Sequence, residues 1–129
     1  MFSAILITGR HISNEQSVEV FVPSTSTSCE LPSLAMARYG HTQDNLILCG
    51  GGSSHDAYIS CEEFIPATGT WARTNHTLQE GRFNHVSWSV EEGTLLMGGY
   101  FSFQAGSTTS EIVKHDGTTE TSFDMKYVT

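Results

Sequence analysis

One event in this chain recurs. A short apolar run meets glycine three times: LILCGGG at 46–52, TLLMGGY at 94–100 and, more weakly, AILITGR at 4–10, where Thr8 stands for the first glycine. The steps fall at Gly9, Gly51 and Gly99. A second marker follows each: SVEVFVP ending at Pro23, SCEEFIP ending at Pro66 and SEIVKHDG ending at Gly117. A third marker, RYGH at 38–41 and RFNH at 82–85, sets Arg38 and His41, then Arg82 and His85, three residues apart. Self-similarity at intervals of about 42 to 51 residues means a series of like units, each burying its apolar face against the next.

The glycines invite a phosphate-binding reading, since backbone N–H groups at a glycine-rich turn can cradle an anion at a helix start. Here SSHDAYISCEEF follows, with no GK[ST] ending and no helical period. A strand over 58–65, rich in β-formers and closed by Pro66, is expected instead. RYGHTQDNLILCGGG reads as two β segments joined at Asp44-Asn45, and EEFIPATGTWAR as two more joined by Pro66, Thr68 and Gly69. Four short strands per repeat, at this period, are the composition of one propeller blade. The paired glycines Gly50-Gly51 and Gly98-Gly99 then suit strand ends with positive φ or close backbone approach.

The order R-x-x-H, strand, Gly-Gly, variable loop, E-x-Φ-x-P-x-T-G-x-W resembles the kelch repeat, best over 38–71 and 82–99. In the second unit Arg38, His41, Gly50, Gly51, Glu62, Phe64, Pro66, Gly69 and Trp71 fall where a kelch repeat has them. Glu19 takes the place of Glu62 in the first unit, Ser28 that of Trp71, and Glu120 lies near the missing tryptophan of the third. The resemblance implies an all-β fold: a kelch-type propeller segment of about three four-stranded blades in one domain spanning residues 1–129, with units near 1–37, 38–81 and 82–129. Trp71 is expected to cover the neighbouring blade. Propellers close with about 4 to 8 blades, so three leave the ring incomplete. Further blades of a longer chain, of which this would be a fragment, or a second copy would complete it.

Composition limits the partners. The net charge is −8, with six Lys and Arg scattered along the chain, which argues against nucleic-acid and anionic-membrane surfaces. The opening MFSAILITG lacks a basic leader and is expected to be blade, and no run approaches the ~18 apolar residues of a membrane span. Glu91-Glu92 before Gly93 reads as solvated charge in a hairpin turn. Cys49 ends one expected strand and Cys61 begins the next, so a disulfide across the hairpin is open, with Cys29 left over. Three reduced thiols are the other reading. No CxxC element points to zinc. Asn75-His76-Thr77 is a glycosylation sequon in an expected loop. With SCELPSL, RYGHTQ and HVSW it resembles extracellular kelch-like proteins of invertebrates, which implies secretion.

The expected function is protein interaction, with no cofactor. Rigid strands would hold variable loops that meet a protein partner, and the candidates are Ser53, Ser54, His55 and Asp56 after the second glycine step and Tyr100, Phe101 and Phe103 after the third. The competing class is a copper oxidase of the galactose-oxidase type, which needs tyrosine and histidine ligands converging on the ring axis. His41 and His85 recur at one repeat position, which suits a repeated structural role better than one asymmetric metal site. No GxSxG or HExxH motif supports a hydrolase.

Overall fold

A computed structural model of the protein describes residues 5–8, 16–44, 46–53, 56–102, 105–116 and 118–124. Its regular elements are strands: β1 (Ile5–Thr8), β2 (Val18–Val22), β3 (Thr27–Leu31), β4 (Tyr39–Asp44), β5 (Ile47–Ser53), β6 (Asp56–Ala57), β7 (Ser60–Ile65), β8 (Thr70–Thr77), β9 (Val86–Val90), β10 (Gly93–Met97), β11 (Tyr100–Ser102), β12 (Ala105–Gly106), β13 (Thr109–Lys114) and β14 (Thr119–Asp124). The protein is all-β. Three open antiparallel sheets follow one another along the chain, ordered β1-β2-β3, β4-β5-β7-β8 and β9-β10-β13-β14. The short β6 adds to β5, and β11 pairs β12 as a small hairpin.

Local chemistry sets the turns. Between β7 and β8, Gly69 takes φ 68° and its N–H donates to the Ile65 carbonyl at 2.8 Å, the left-handed position that glycine fills without a Cβ clash. The same turn between β2 and β3 has Ser26 there, at φ 51°. Both turns carry a threonine pair, Thr25 with Thr27 at 2.6 Å and Thr68 with Thr70 at 2.7 Å.

Three boundaries differ from the sequence expectation. The strand expected over 58–65 begins at Ser60, because the Tyr58 N–H turns back to the Gly51 carbonyl at 2.8 Å. β5 runs through its glycines to Ser53, so Cys49 lies inside a strand. Thr8 does not replace a glycine: it pairs with Val18, as Cys49 pairs with Cys61 and Met97 with Ser110. Register follows the face a strand must bury, and here it moves the first unit by one residue. Gly9 and Gly117 lie outside the described residues.

Two apolar clusters join the sheets in series. Leu6, Val18 and Leu31 of the first unit pack with Leu34, Leu48, Phe64 and Trp71. Ile47, Cys49 and Cys61, on the opposite face of the middle sheet, pack with Leu78, Leu96 and Val113. Residues one apart on a strand point to opposite faces, so Leu48 and Cys49 serve different neighbours and the middle sheet is covered on both sides.

Candidate functional site

The most repeated chemistry is a buried arginine clamp. Arg38, fully buried, donates from Nη1 to the carbonyls of Gly50 (2.7 Å) and Ser60 (3.0 Å), and from Nη2 to Ser60 Oγ (3.2 Å). Its Nη2 is 2.9 Å from Glu62 Oε2. Arg82 repeats this with the carbonyls of Gly98 (2.9 Å) and Thr109 (3.0 Å), with Thr109 Oγ1 (2.9 Å) and with Glu111 Oε2 (2.8 Å). Each carboxylate also accepts two N–H groups of the segment entering its unit: Ala35 (2.5 Å) and Met36 (3.2 Å) on Glu62, Gln79 (2.7 Å) and Glu80 (3.3 Å) on Glu111. A register shift lies between Ser60 and Glu62 and again between Thr109 and Glu111. Such a bulge bends its strand and re-aims its side chains, here bringing hydroxyl and carboxylate to one guanidinium. Burial lowers the Arg38 pKa from its ordinary value, and the Glu62 carboxylate opposes that shift.

Glu111 escaped the sequence reading. Its signal was Ser110-Glu111 in the third copy of the second marker, which stands at the register of Cys61-Glu62. Glu19 is a correction in the other sense. It pairs with Glu30 as Glu62 pairs with Arg73, so it holds the same register position, yet its side chain is exposed.

The histidines tie units together. His41 Nε2 lies 2.7 Å from Thr8 Oγ1, and His85 Nε2 lies 2.8 Å from Thr42 Oγ1. Thr8 gives its hydrogen to Gln43 Oε1 at 3.0 Å, so His41 donates from Nε2. The Nδ1 atoms are buried without a hydrogen-bond partner among the described residues. Burial first, then the neighbouring arginine, lowers the pKa to about 4 for His41 and about 3 for His85. Both rings are neutral at pH 7. The glycines answer to the same packing: a Cβ on Gly50 (φ 71°) would stand 2.6 Å from the Arg82 carbonyl oxygen and 2.8 Å from His85, while the Gly51 N–H donates to that carbonyl at 2.8 Å. The Gly51 N–H thus binds the next unit.

The two candidate loops meet at one end of the sheets. β6, after the second glycine step, contacts β11, after the third. Tyr100 and Phe101 belong to β11 rather than to a free loop. The Tyr100 ring sits 5.9 Å from Phe83, which also lies 6.4 Å from the Tyr39 ring. Tyr100 is 39% exposed, Phe101 45%, and Asp56 is exposed, whereas Ser53 is half-buried. Ser54, His55 and Phe103 lie outside the described residues. The Arg38 guanidinium lies over the Tyr58 ring at 5.4 Å.

The remaining expected residues have definite places. Cys49 and Cys61 face each other across β5 and β7 and form a disulfide, with Cα atoms 4.1 Å apart, and Cys29 is a free, exposed thiol. Trp71 is buried against the first sheet with its ring 5.5 Å from Phe64. Asn75 is exposed, within β8 rather than in a loop, because the strand continues to Thr77 along the sheet edge. Between the middle and third sheets a cleft of about 310 Å³ is lined in part by Asp44, Glu63, His76 and His115. Thr94 Oγ1 donates to Asp44 across it at 2.6 Å. Among the described residues no three His, Cys, Asp or Glu side chains are grouped to hold a metal ion, and no helix is long and apolar enough to cross a membrane.

No family model matches the chain, and neither does any curated protein. Among solved structures it is similar to YjhT, with a TM-score of 0.81 and 13% identity over 97% of this chain and 50% of the YjhT chain. The chain therefore spans about half the length of that structure, and the likeness at this identity is one of fold.

Proposed function

We propose that the chain is a segment of a kelch-type β-propeller acting as a protein-interaction module, its binding surface formed by the adjoining turns around Asp56 and around Tyr100 and Phe101. What supports the reading is one contrast. The repeated polar groups, Arg38 with Glu62 and Arg82 with Glu111, are buried and hold strands through their Nη atoms and carboxylates, whereas the aromatic pair at the meeting point of the two loops is open to solvent. Exposed aromatic rings on a rigid support are the groups that most often anchor interfaces. His41 and His85 each hold a threonine through Nε2, a structural use repeated from unit to unit. The Cys49–Cys61 disulfide supports an oxidising, extracellular setting, where such bonds persist.

The test is affinity capture by the folded 129-residue chain, set against a Tyr100→Ser, Phe101→Ser variant, with circular dichroism on both. A protein captured by the parent and lost by the variant at unchanged dichroism is the expected result. A variant that captures equally well would move the surface elsewhere, and one that unfolds would assign both rings to packing. Copper bound in stoichiometric amount, with a radical absorption band, would favour the oxidase reading.

A further inference from the structure

We propose that the outer face of the third sheet docks on the outer face of the first sheet of a second copy of this chain, head to tail, so that two chains close through two equal contacts. The pairing of faces rests on strand register, and only the ring it would close rests on the propeller reading above.

Each sheet has two distinct faces, and the internal contacts always join unlike ones. At the first junction, Leu6 and Val18 of the first sheet meet Leu48 and Trp71 of the middle sheet. At the second, Ile47, Cys49 and Cys61 of the middle sheet meet Leu96 and Val113 of the third. Register equates these sets. Leu48 pairs with Glu62 as Leu96 pairs with Glu111, and Cys49 pairs with Cys61 as Thr8 pairs with Val18. Every sheet therefore turns its Cys49-type face toward the following sheet and its Leu48-type face toward the preceding one.

The series leaves one face of each type open, at opposite ends. On the third sheet the outer face carries Leu95 and Met97, at the register of Ile47 and Cys49, flanked by Val86, Trp88 and Ile112. Trp88 is 69% exposed and Val86 57%. On the first sheet the outer face carries Ile7, at the register of Leu48 and 47% exposed, with Ile5 and Phe21. These two faces are complementary in the sense already used twice inside the chain, and neither matches itself. A second copy offers both. YjhT, of which this chain covers 50%, has room in one chain for two such copies. Two unlike faces per chain make a heterologous contact, which closes when the rotation between copies is half a turn.

The test is the solution mass of the full chain by light scattering after size exclusion, with Cys29 alkylated by iodoacetamide to prevent covalent pairing and circular dichroism on the same peak. Two-chain particles are expected. Trp88→Glu and Ile7→Glu should each yield single chains. Mixing the two variants should restore pairs at higher concentration, because each mixed pair keeps one contact with both faces unaltered. Val86→Lys replaces Trp88→Glu if that variant loses its β signal, and Ile5→Glu replaces Ile7→Glu. Single or unfolded parent chains overturn the proposal, as do particles that grow beyond two chains. So does an Ile7→Glu variant that still pairs, which would mean Trp88 meets its own copy. Folded single chains, or larger particles, leave the partner test untouched, since Tyr100 and Phe101 belong to neither sheet, whereas an unfolded parent chain ends both readings.

Discussion

At the scale of single residues, His85 shows how packing changes a side chain's chemistry. Its ring is buried beside Arg82, with Nε2 against Thr42 and Nδ1 without a partner among the described residues. Protonation would place a second charge in a dry site, and the pKa falls to about 3. In the unfolded chain it is about 6.5. Because the folded value is the lower one, the unfolded state binds more protons between these limits and stability falls as pH drops from about 6.5 toward 3. The slope for this one group is at most about 1.4 kcal/mol per pH unit. Urea unfolding at pH 7 and pH 5 measures it: the parent should lose stability over that interval, and His85→Gln should lose less. An equal loss in both would mean that His85 titrates normally. The recurrence of His85 with His41 was legible in the sequence, but their threonine partners were not, since those lie 33 and 43 residues away.

At the scale of elements, β7 carries two neighbouring glutamates with opposite fates. Glu62 is fully buried on Arg38 and on two backbone N–H groups, while Glu63 is exposed. Removing one partner of a buried ion pair costs about 3–5 kcal/mol, because the other charge is left without compensation. A surface change stays within about 0.5 kcal/mol. Glu62→Ala should therefore shift urea unfolding by several kcal/mol, and Glu63→Ala should barely move it; equal effects would show that the clamp does not hold the sheet. Sequence spacing pointed to Arg38 and Glu62 separately. The bulge that brings Ser60 and Glu62 to the same guanidinium became visible only in the strand pairing. The same bulge lies beside Glu111, whose likeness to Glu62 emerges from the pairing of Leu96 with Glu111 and of Leu48 with Glu62.

At the scale of the whole molecule, the three sheets have unequal surroundings. The middle sheet has a neighbour on each side, and β5 and β7 are its inner strands. β3 edges the first sheet, with four of its five side chains exposed. Local opening free energies range from near zero at poorly packed edges to the global value in core strands. Amide hydrogen exchange should therefore be slowest at Leu48, Cys49 and Glu62 and fastest, among paired strands, in β3. Uniform protection would mean that the sheets open as one unit.

The sequence by itself determined the repeat, the β class and the turn chemistry, because these rest on short-range causes: alternating β-formers, glycine and proline at chain reversals, and markers recurring at fixed intervals. Only the tertiary structure decided which glutamate is clamped, that Cys49 meets Cys61, that Asn75 lies in a strand, and that the loops after the second and third glycine steps share one end. Each of these depends on the register of strands distant in sequence. That register is set by which face each strand must bury against its neighbour, an energy no single segment contains.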